Sequence, residues 1–236
     1  MTEPCSSACS SNVVLAKKSD SCLRSCVDYR RLNDLTYKDS FPLSRIDTCH
    51  DALGEYAFFS TVDLRSGFWQ VAIDSRDADK TAFVTRKGKF RFRVLSLGLA
   101  NSPSIFQRLM TMVLAGLHWE TCLVYTDDII IMGKDFHEHV RSVARVFQRL
   151  REAGLKLKPT KCKLFQEKIT FLGQVVSARG VEFDPQKISC IATWPEPETL
   201  TEVRSFLVLA SYYKNFVDNF SDVARPLYNL ITLLLG

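Results

Sequence analysis

Between Leu123 and Met132 two adjacent carboxylates, Asp127 and Asp128, split a run rich in apolar and β-branched residues: Leu123-Val124-Tyr125-Thr126 precede them and Ile129-Ile130-Ile131-Met132 follow. No other stretch narrows the folding options as much. Two such flanks around turn-forming acids predict a β-hairpin with charge at its tip. Both flanks ask for burial, so the acids sit where water compensates them poorly, and carboxylates persist there when hydrogen-bonded, ion-paired or metal-bound. Two interpretations stay open from this stretch alone: a structural turn, in which Asp serves the local backbone, or a functional site. A third acid, Asp63, closes a similar run, Ala57-Phe58-Phe59-Ser60-Thr61-Val62. Three acids ending two apolar strands suggest a metal site.

Size and composition set the class. A chain of 236 residues can bury a substantial core and make one large domain or two. With 46% hydrophobic and 24% charged residues it has the make-up of an ordinary globular protein. No apolar run approaches the roughly 20 residues of a spanning helix, so no membrane association is expected. The Ser- and Cys-rich start, Met1 to Asn12, lacks the basic-then-apolar order of a secretory signal, which predicts an intracellular protein with its eight cysteines reduced. Cys5, Cys9, Cys22 and Cys26 form two pairs with wider spacing than zinc sites prefer, and no His follows at finger distance.

The net charge of +5 is unevenly spread. From Lys134 to Lys168 there are ten basic and four acidic residues; from Arg76 to Arg93 there are seven and two, interleaved with Phe83, Phe90 and Phe92. Such strips suit a phosphate backbone, or else form a solvated face.

In chain order, residues 1–12 read as an irregular lead-in, and Val13 to Lys17 with Cys22 to Asp28 as a basic hairpin. Arg30 to Pro42 reads as a loop and Ser44 to Leu53 as a helix. Phe58 to Leu64 is a strand, with Phe68 to Ile73 as its hairpin partner through Arg65-Ser66-Gly67. Strands at Thr81 to Thr85 and Phe90 to Leu95 meet at the Lys87-Gly88 turn. Ser102-Pro103 predicts a capped helix start. Asp135 and Glu138 cap a further helix ending at Gly154, with Phe136, Val140, Val143, Phe147 and Leu150 inward and both His137 and His139 on the surface. A hairpin is expected around Gln166-Glu167-Lys168. After Asp184-Pro185 only helices are predicted: Pro185 to Trp194, then one capped by Thr199 and Glu202 and running to Phe220. This order argues for an α+β fold rather than a wound parallel sheet.

Six short motifs then occur in one order: Cys26-Val27-Asp28-Tyr29-Arg30-Arg31-Leu32-Asn33, Phe59-Ser60-Thr61-Val62-Asp63-Leu64-Arg65-Ser66-Gly67, Lys80-Thr81-Ala82-Phe83, Gly98-Leu99-Ala100-Asn101-Ser102-Pro103, Tyr125-Thr126-Asp127-Asp128 and Phe171-Leu172-Gly173. From about residue 10 onward the chain resembles the reverse transcriptase domain of gypsy-type LTR retrotransposon Pol polyproteins. The resemblance implies a right-hand polymerase, with fingers and palm over 13–180 and a helical thumb or connection region over 181–236. It implies RNA-directed DNA polymerase activity, with Asp63, Asp127 and Asp128 as catalytic ligands of two Mg²⁺ ions and Mn²⁺ as a substitute. Lys17, Lys18, Arg24, Ser66, Gly67, Phe68, Leu97 and Gly98 would bind the dNTP, Phe68 excluding a ribose 2′-hydroxyl. Arg30, Tyr125, Leu172 and Gly173 would contact template and primer. The implied partners are an RNA or DNA template with its primer and dNTPs, within an oligomer or a larger Pol polyprotein. The implied location is the cytoplasm, with or without a particle, or the nucleus.

Some positions depart from the family pattern. Ser96-Leu97 replaces Pro-Phe, which predicts a looser loop at the nucleotide pocket. Leu23 stands for Trp, Ser21 for a turn Gly and Val208 for a thumb Gly. Thr126 fills a commonly apolar slot and is expected to be mild because Thr suits strands. RNase H, protease and integrase regions would lie outside this chain, making it a fragment or a shortened gene product. The altered loop and the missing regions leave an alternative: a decayed or repurposed relic that binds nucleic acid without polymerising.

Overall fold

The computed structural model describes residues 1–17, 23–42, 45–183, 191, 193–214 and 217–233. Its strands are β1 (Thr2–Pro4), β2 (Val13–Lys17), β3 (Leu23–Val27), β4 (Phe58–Asp63), β5 (Phe83–Thr85), β6 (Gly88–Phe92), β7 (Cys122–Tyr125), β8 (Asp128–Gly133), β9 (Lys163–Gln166), β10 (Lys168–Phe171), β11 (Gln174–Ser177) and β12 (Gly180–Phe183). The helices are α1 (Arg30–Leu35), α2 (Ile46–Asp51), α3 (Ser75–Ala78), α4 (Ser102–Val113), α5 (Phe136–Glu152), α6 (Leu200–Tyr212) and α7 (Phe220–Leu233). The chain divides into two compact units, Met1–Glu182 and Phe183–Gly236.

The central sheet has the order β7-β8-β4-β9 and is antiparallel throughout. Side chains alternate across a strand, so the uninterrupted apolar run of β8 requires cover on both faces. It has that cover. Ile129 and Ile131 pack with Phe106, Met110 and Leu114 around α4 and with Val143, Val146 and Leu150 of α5. Ile130 and Met132 face the other way, against Cys49, Leu53, Ile169 and Phe171. Each Ile fully removed from water contributes about 1.5–3 kcal/mol. The sheet is thus sandwiched between α4 with α5 on one side and α2 with β10 and β11 on the other.

Several expectations need correction. Residues 1–12 are not wholly irregular: β1 joins a three-stranded sheet β1-β6-β5, its Glu3 paired to Arg91 at 2.7 Å. Arg30–Leu35 is a short helix rather than a loop. Phe68 to Ile73 is not a hairpin partner of β4, whose neighbours are β8 and β9. Ser66 is left-handed and starts a 3-10 turn over Gly67–Gln70. Gln70 then locks that turn, its Nε2 donating to Arg65 O and Lys156 O while its Oε1 accepts from Lys156 N. The predicted hairpin at Gln166-Glu167-Lys168 is instead a crossing between sheets, because β9 pairs with β4 and β10 with β11. Burial of Ile169 and Phe171 draws β10 onto the second core face.

The helix predicted to run to Phe220 ends at Tyr212, and a further helix, α7, begins at Phe220 just after a left-handed Asn219. Thr199 and Glu202 do form a reciprocal capping box. Within this unit Val203, Leu207 and Ala224 make the core. Most of the predicted Pro185 to Trp194 helix lies outside the described residues.

Candidate active site

The register of β4 and β8 makes Asp63 and Asp128 direct cross-strand partners. Asp127 lies in the tight turn between Tyr125 and Asp128, which pair as the last residues of β7 and β8. The hairpin and the end of β4 therefore bring all three acids to one edge of the sheet. Asp128 touches solvent, yet desolvation raises its pKa above the usual carboxylate range, and the charges of Asp127 and Asp63 raise it further. Lys161 opposes this: its Nζ donates to Asp63 Oδ2 at 2.8 Å. The lysine pKa is raised chiefly by that bond.

Asp63, Asp128 and Lys161 line one cleft of about 160 Å³ together with Lys163, Phe171 and Leu172. No cluster of three or more His, Cys, Asp and Glu side chains among the described residues is arranged to hold a metal ion. The donor chemistry nevertheless fits one: crowded carboxylate oxygens with excess negative charge suit a hard divalent cation.

Backbone strain gathers around these residues. Six non-glycine residues have positive φ among the described ones, and three of them adjoin predicted site residues: Ser66 (54°), Thr126 (53°) and Leu172 (48°). Strained conformations of this kind concentrate where a site fixes them. Ser66 turns the chain so that Gly67 lies against the acids; a Cβ there would meet Phe106 Cζ at 3.0 Å and Asp127 Cβ at 3.3 Å. Leu172 and Gly173 (84°) both take positive φ, as a two-residue hairpin turn between β10 and β11 demands. Phe68 is half-buried, edge-on to Phe106 with ring centroids 5.3 Å apart.

Thr126 corrects an expectation. It sits in the turn and not in a strand, in a conformation hard on a β-branched residue. Gln107 of α4, 1% exposed, compensates. Its Oε1 accepts from Thr126 N at 2.7 Å, and its Nε2 donates to Val124 O at 3.2 Å. Thr126 Oγ1 donates in turn to Asp127 Oδ1 at 3.1 Å.

Hydrogen bonds tie the chain on both sides of Leu97. Ser102 does not cap α4; its Oγ donates to Ser96 O at 2.9 Å. Asn33 Nδ2 donates to Gly98 O and Asn33 Oδ1 accepts from Ala100 N, both at 2.8 Å. Leu97 remains 40% exposed.

Other predicted residues fall as follows. Arg30 is bound to Asp28 at 2.6 Å, and that contact lowers the Asp28 carboxyl to about 2. Tyr125 packs beside the Ile130 face of the sheet. Lys17 and Arg24 lie in the β2-β3 ladder, but their side chains, and all of Lys18, lie outside the described residues. His139 corrects the surface assignment: it is fully buried, with Nε2 2.7 Å from Ser60 Oγ. Gln107, Gln70, Asn33 and Lys161 were missed as site-forming residues. Asn33 left a trace as the last residue of the first motif, and Gln107 as a polar residue on the Phe106 and Met110 face of a helix.

The family model described as Reverse transcriptase (RNA-dependent DNA polymerase) matches residues 16–176. The chain belongs to the reverse transcriptase family. It is 39% identical over 204 residues to the retrovirus-related Pol polyprotein from transposon 297 of Drosophila melanogaster, covering 86% of this chain and 19% of that protein. It is 38% identical over 208 residues to the corresponding protein from transposon gypsy of the same organism, covering 88% and 20%. The chain thus spans about a fifth of these curated relatives. Among solved structures, a foamy viral protease-reverse transcriptase in complex with double-stranded DNA superposes with a TM-score of 0.92 at 28% identity, over 98% of this chain and 41% of the other. The same viral enzyme with an RNA/DNA hybrid gives 0.83 at 28% identity, over 98% and 31%. The fold is accordingly the right-hand polymerase fold of reverse transcriptases, α+β, with fingers, palm and a helical C-terminal thumb. Among the described residues no helix is long and apolar enough to cross a membrane.

Proposed function

We propose that this chain is the polymerase core of a retrotransposon Pol protein and extends a primer with dNTPs on an RNA or DNA template. The observation that carries the proposal is the pairing of Asp63 with Asp128, with Asp127 at the adjoining turn, in a member of the reverse transcriptase family. Asp63, Asp127 and Asp128 would hold divalent cations there, Mg²⁺ or Mn²⁺. Two such ions, when bound, supply Lewis-acid stabilisation of the attacking and leaving oxygens of a phosphoryl transfer.

The chain's own groups fill the remaining roles. The amides of Ser66 and Gly67, with Lys17, Lys18 and Arg24, hold the triphosphate. Leu97 and Gly98 line its pocket, and Phe68, braced by Phe106, crowds the sugar so that a 2′-hydroxyl does not fit. Arg30, Tyr125, Leu172 and Gly173 position template and primer. The hydrogen bonds to Ser96, Gly98 and Ala100 support an intact nucleotide loop over a decayed one. Action inside the cell, as part of a longer polyprotein, belongs to the same proposal.

The test is primer extension on poly(rA)/oligo(dT) with Mg²⁺ or Mn²⁺. The chain should extend the primer, and the Asp127→Asn, Asp128→Asn double variant should lose at least about 10³-fold in rate, the scale of removing preorganised charge stabilisation. Full activity in the double variant would refute the assignment. Salt-dependent duplex binding without extension, by the unmodified chain and also by its Ser96→Pro, Leu97→Phe variant, would favour the relic.

A further inference from the structure

The outer face of α5 carries four arginines. Arg141, Arg145, Arg149 and Arg151 occur with no Asp or Glu from 141 to 151. The first three step by four residues, so they share one stripe with guanidinium groups roughly 6 Å apart along the axis. All four are exposed. None enters an ion pair among the described residues. Asp135, the acid whose field Arg141 feels, uses its carboxylate to cap α5 through Glu138 N. Arg149 is steadied by a hydrogen bond to Ala115 O.

A merely solvated face explains this poorly. Like charges four residues apart on a helix repel. The helix dipole rewards cations only in the last turn, which covers Arg149 and Arg151 but not Arg141 and Arg145. Glu138 and Glu152 stand one turn beyond its two ends, their carboxylates bonded to Lys134 N and Gln148 Nε2, so Arg145 at its middle has no acid within a turn of the helix. None of its arginines lines the acid cleft, although Val62 and Ile129 of that cleft belong to the core that α5 covers.

We propose that the α5 stripe is a second nucleic-acid site, which takes the phosphates of a single strand while the cleft is free to hold a duplex. Arginine favours this partner, since its planar fork meets phosphate oxygens in pairs. Between Arg141, Arg145 and Arg149 the exposed side chains are only Ala144 and Gln148, and the apolar cavity nearby, lined by Phe147, Leu150, Leu155 and Leu157, lies at Arg151, off that stripe. Binding there needs no polymerase activity.

The test is anisotropy of a fluorescein-labelled oligo(U) of ~20 nucleotides, titrated between ~50 and 200 mM salt with and without saturating unlabelled primer-template. The RNA should still bind when the duplex is present. The Arg141→Gln, Arg145→Gln, Arg149→Gln variant should lose about tenfold or more in RNA affinity at the lower salt. Its slope of log affinity against log salt should flatten by about 2, at roughly 0.7 per single-strand phosphate. The Lys triple variant should keep most of the slope, and duplex affinity should be unchanged in both. In the unmodified chain, RNA should protect Arg141, Arg145 and Arg149 from phenylglyoxal, which keeps the test open if the Gln variant does not fold. Unchanged RNA affinity in a folded Gln variant, complete displacement of RNA by duplex, or absence of protection would each overturn the proposal. Polyglutamate binding in place of RNA, lost in the same variant, would overturn it in favour of an acidic protein partner. Failure of the duplex alone to bind would count against the polymerase proposal and leave the RNA result to decide this one.

Discussion

Thr126 is an expensive residue for its place. A β-branched side chain at positive φ costs of order 1–3 kcal/mol and persists only where its surroundings over-determine it. Gln107 does this by bonding on both sides of the turn that presents Asp127. Gln107→Leu keeps much of the volume but strands a backbone donor at Thr126 and an acceptor at buried Val124. At about 1–3 kcal/mol for each such group, urea unfolding should show a loss of about 2 kcal/mol or more. If the proposed activity is present, kcat should fall while KM for dNTP changes little, because Gln107 holds the acids and not the nucleotide.

Helix α5 shows how an element can be predicted correctly and its buried face misjudged. Apolar periodicity pointed to Phe136 and Val140, which are 50% and 40% exposed. The inward face keeps Val143 and Leu150 as predicted and adds His139, Ser142 and Val146. His139 and Ser142 are polar, so no hydrophobic pattern could place them; buried His139 finds its partner in Ser60, 79 residues away. The same limit hid Gln70 and Lys161, whose partners are likewise remote in sequence, whereas β8 was legible because its apolar run has one stable solution. The acids were legible only as a set, since motif order supplied what a ten-residue hairpin lacked. Burial depresses the His139 pKa below its usual 6.5, and His118 shifts the same way. Below pH 6.5 the unfolded chain takes up protons that the folded histidines refuse, so stability should fall as pH drops from about 6.5 toward their folded values. Urea midpoints at about pH 7.5 and 5.5 should show this decline, and His139→Gln should lessen it.

Across the larger unit, two buried thiols report on the two faces of one sheet. Burial pushes Cys49 up to about 11 and Cys122 up to about 12, and they belong to opposite core clusters. Iodoacetamide should modify exposed Cys9 in the native chain and spare both. In rising urea Cys49 and Cys122 should become reactive together, as a cooperative sandwich requires; separate transitions would show that the faces unfold independently. The piece that links most of this unit is α4. Ser102 at its start grips the Ser96-Leu97 loop, Ser104 and Arg108 hold Asp39, and Gln107 holds the acid hairpin. The offset between loop and carboxylates is therefore measured out by a helix, five residues or about 7.5 Å from one grip to the other. Such a part works as a ruler whose graduations are residues. Deleting one residue between Ser102 and Gln107 would swing the second grip by about 100° and leave every site carboxylate encoded but out of register.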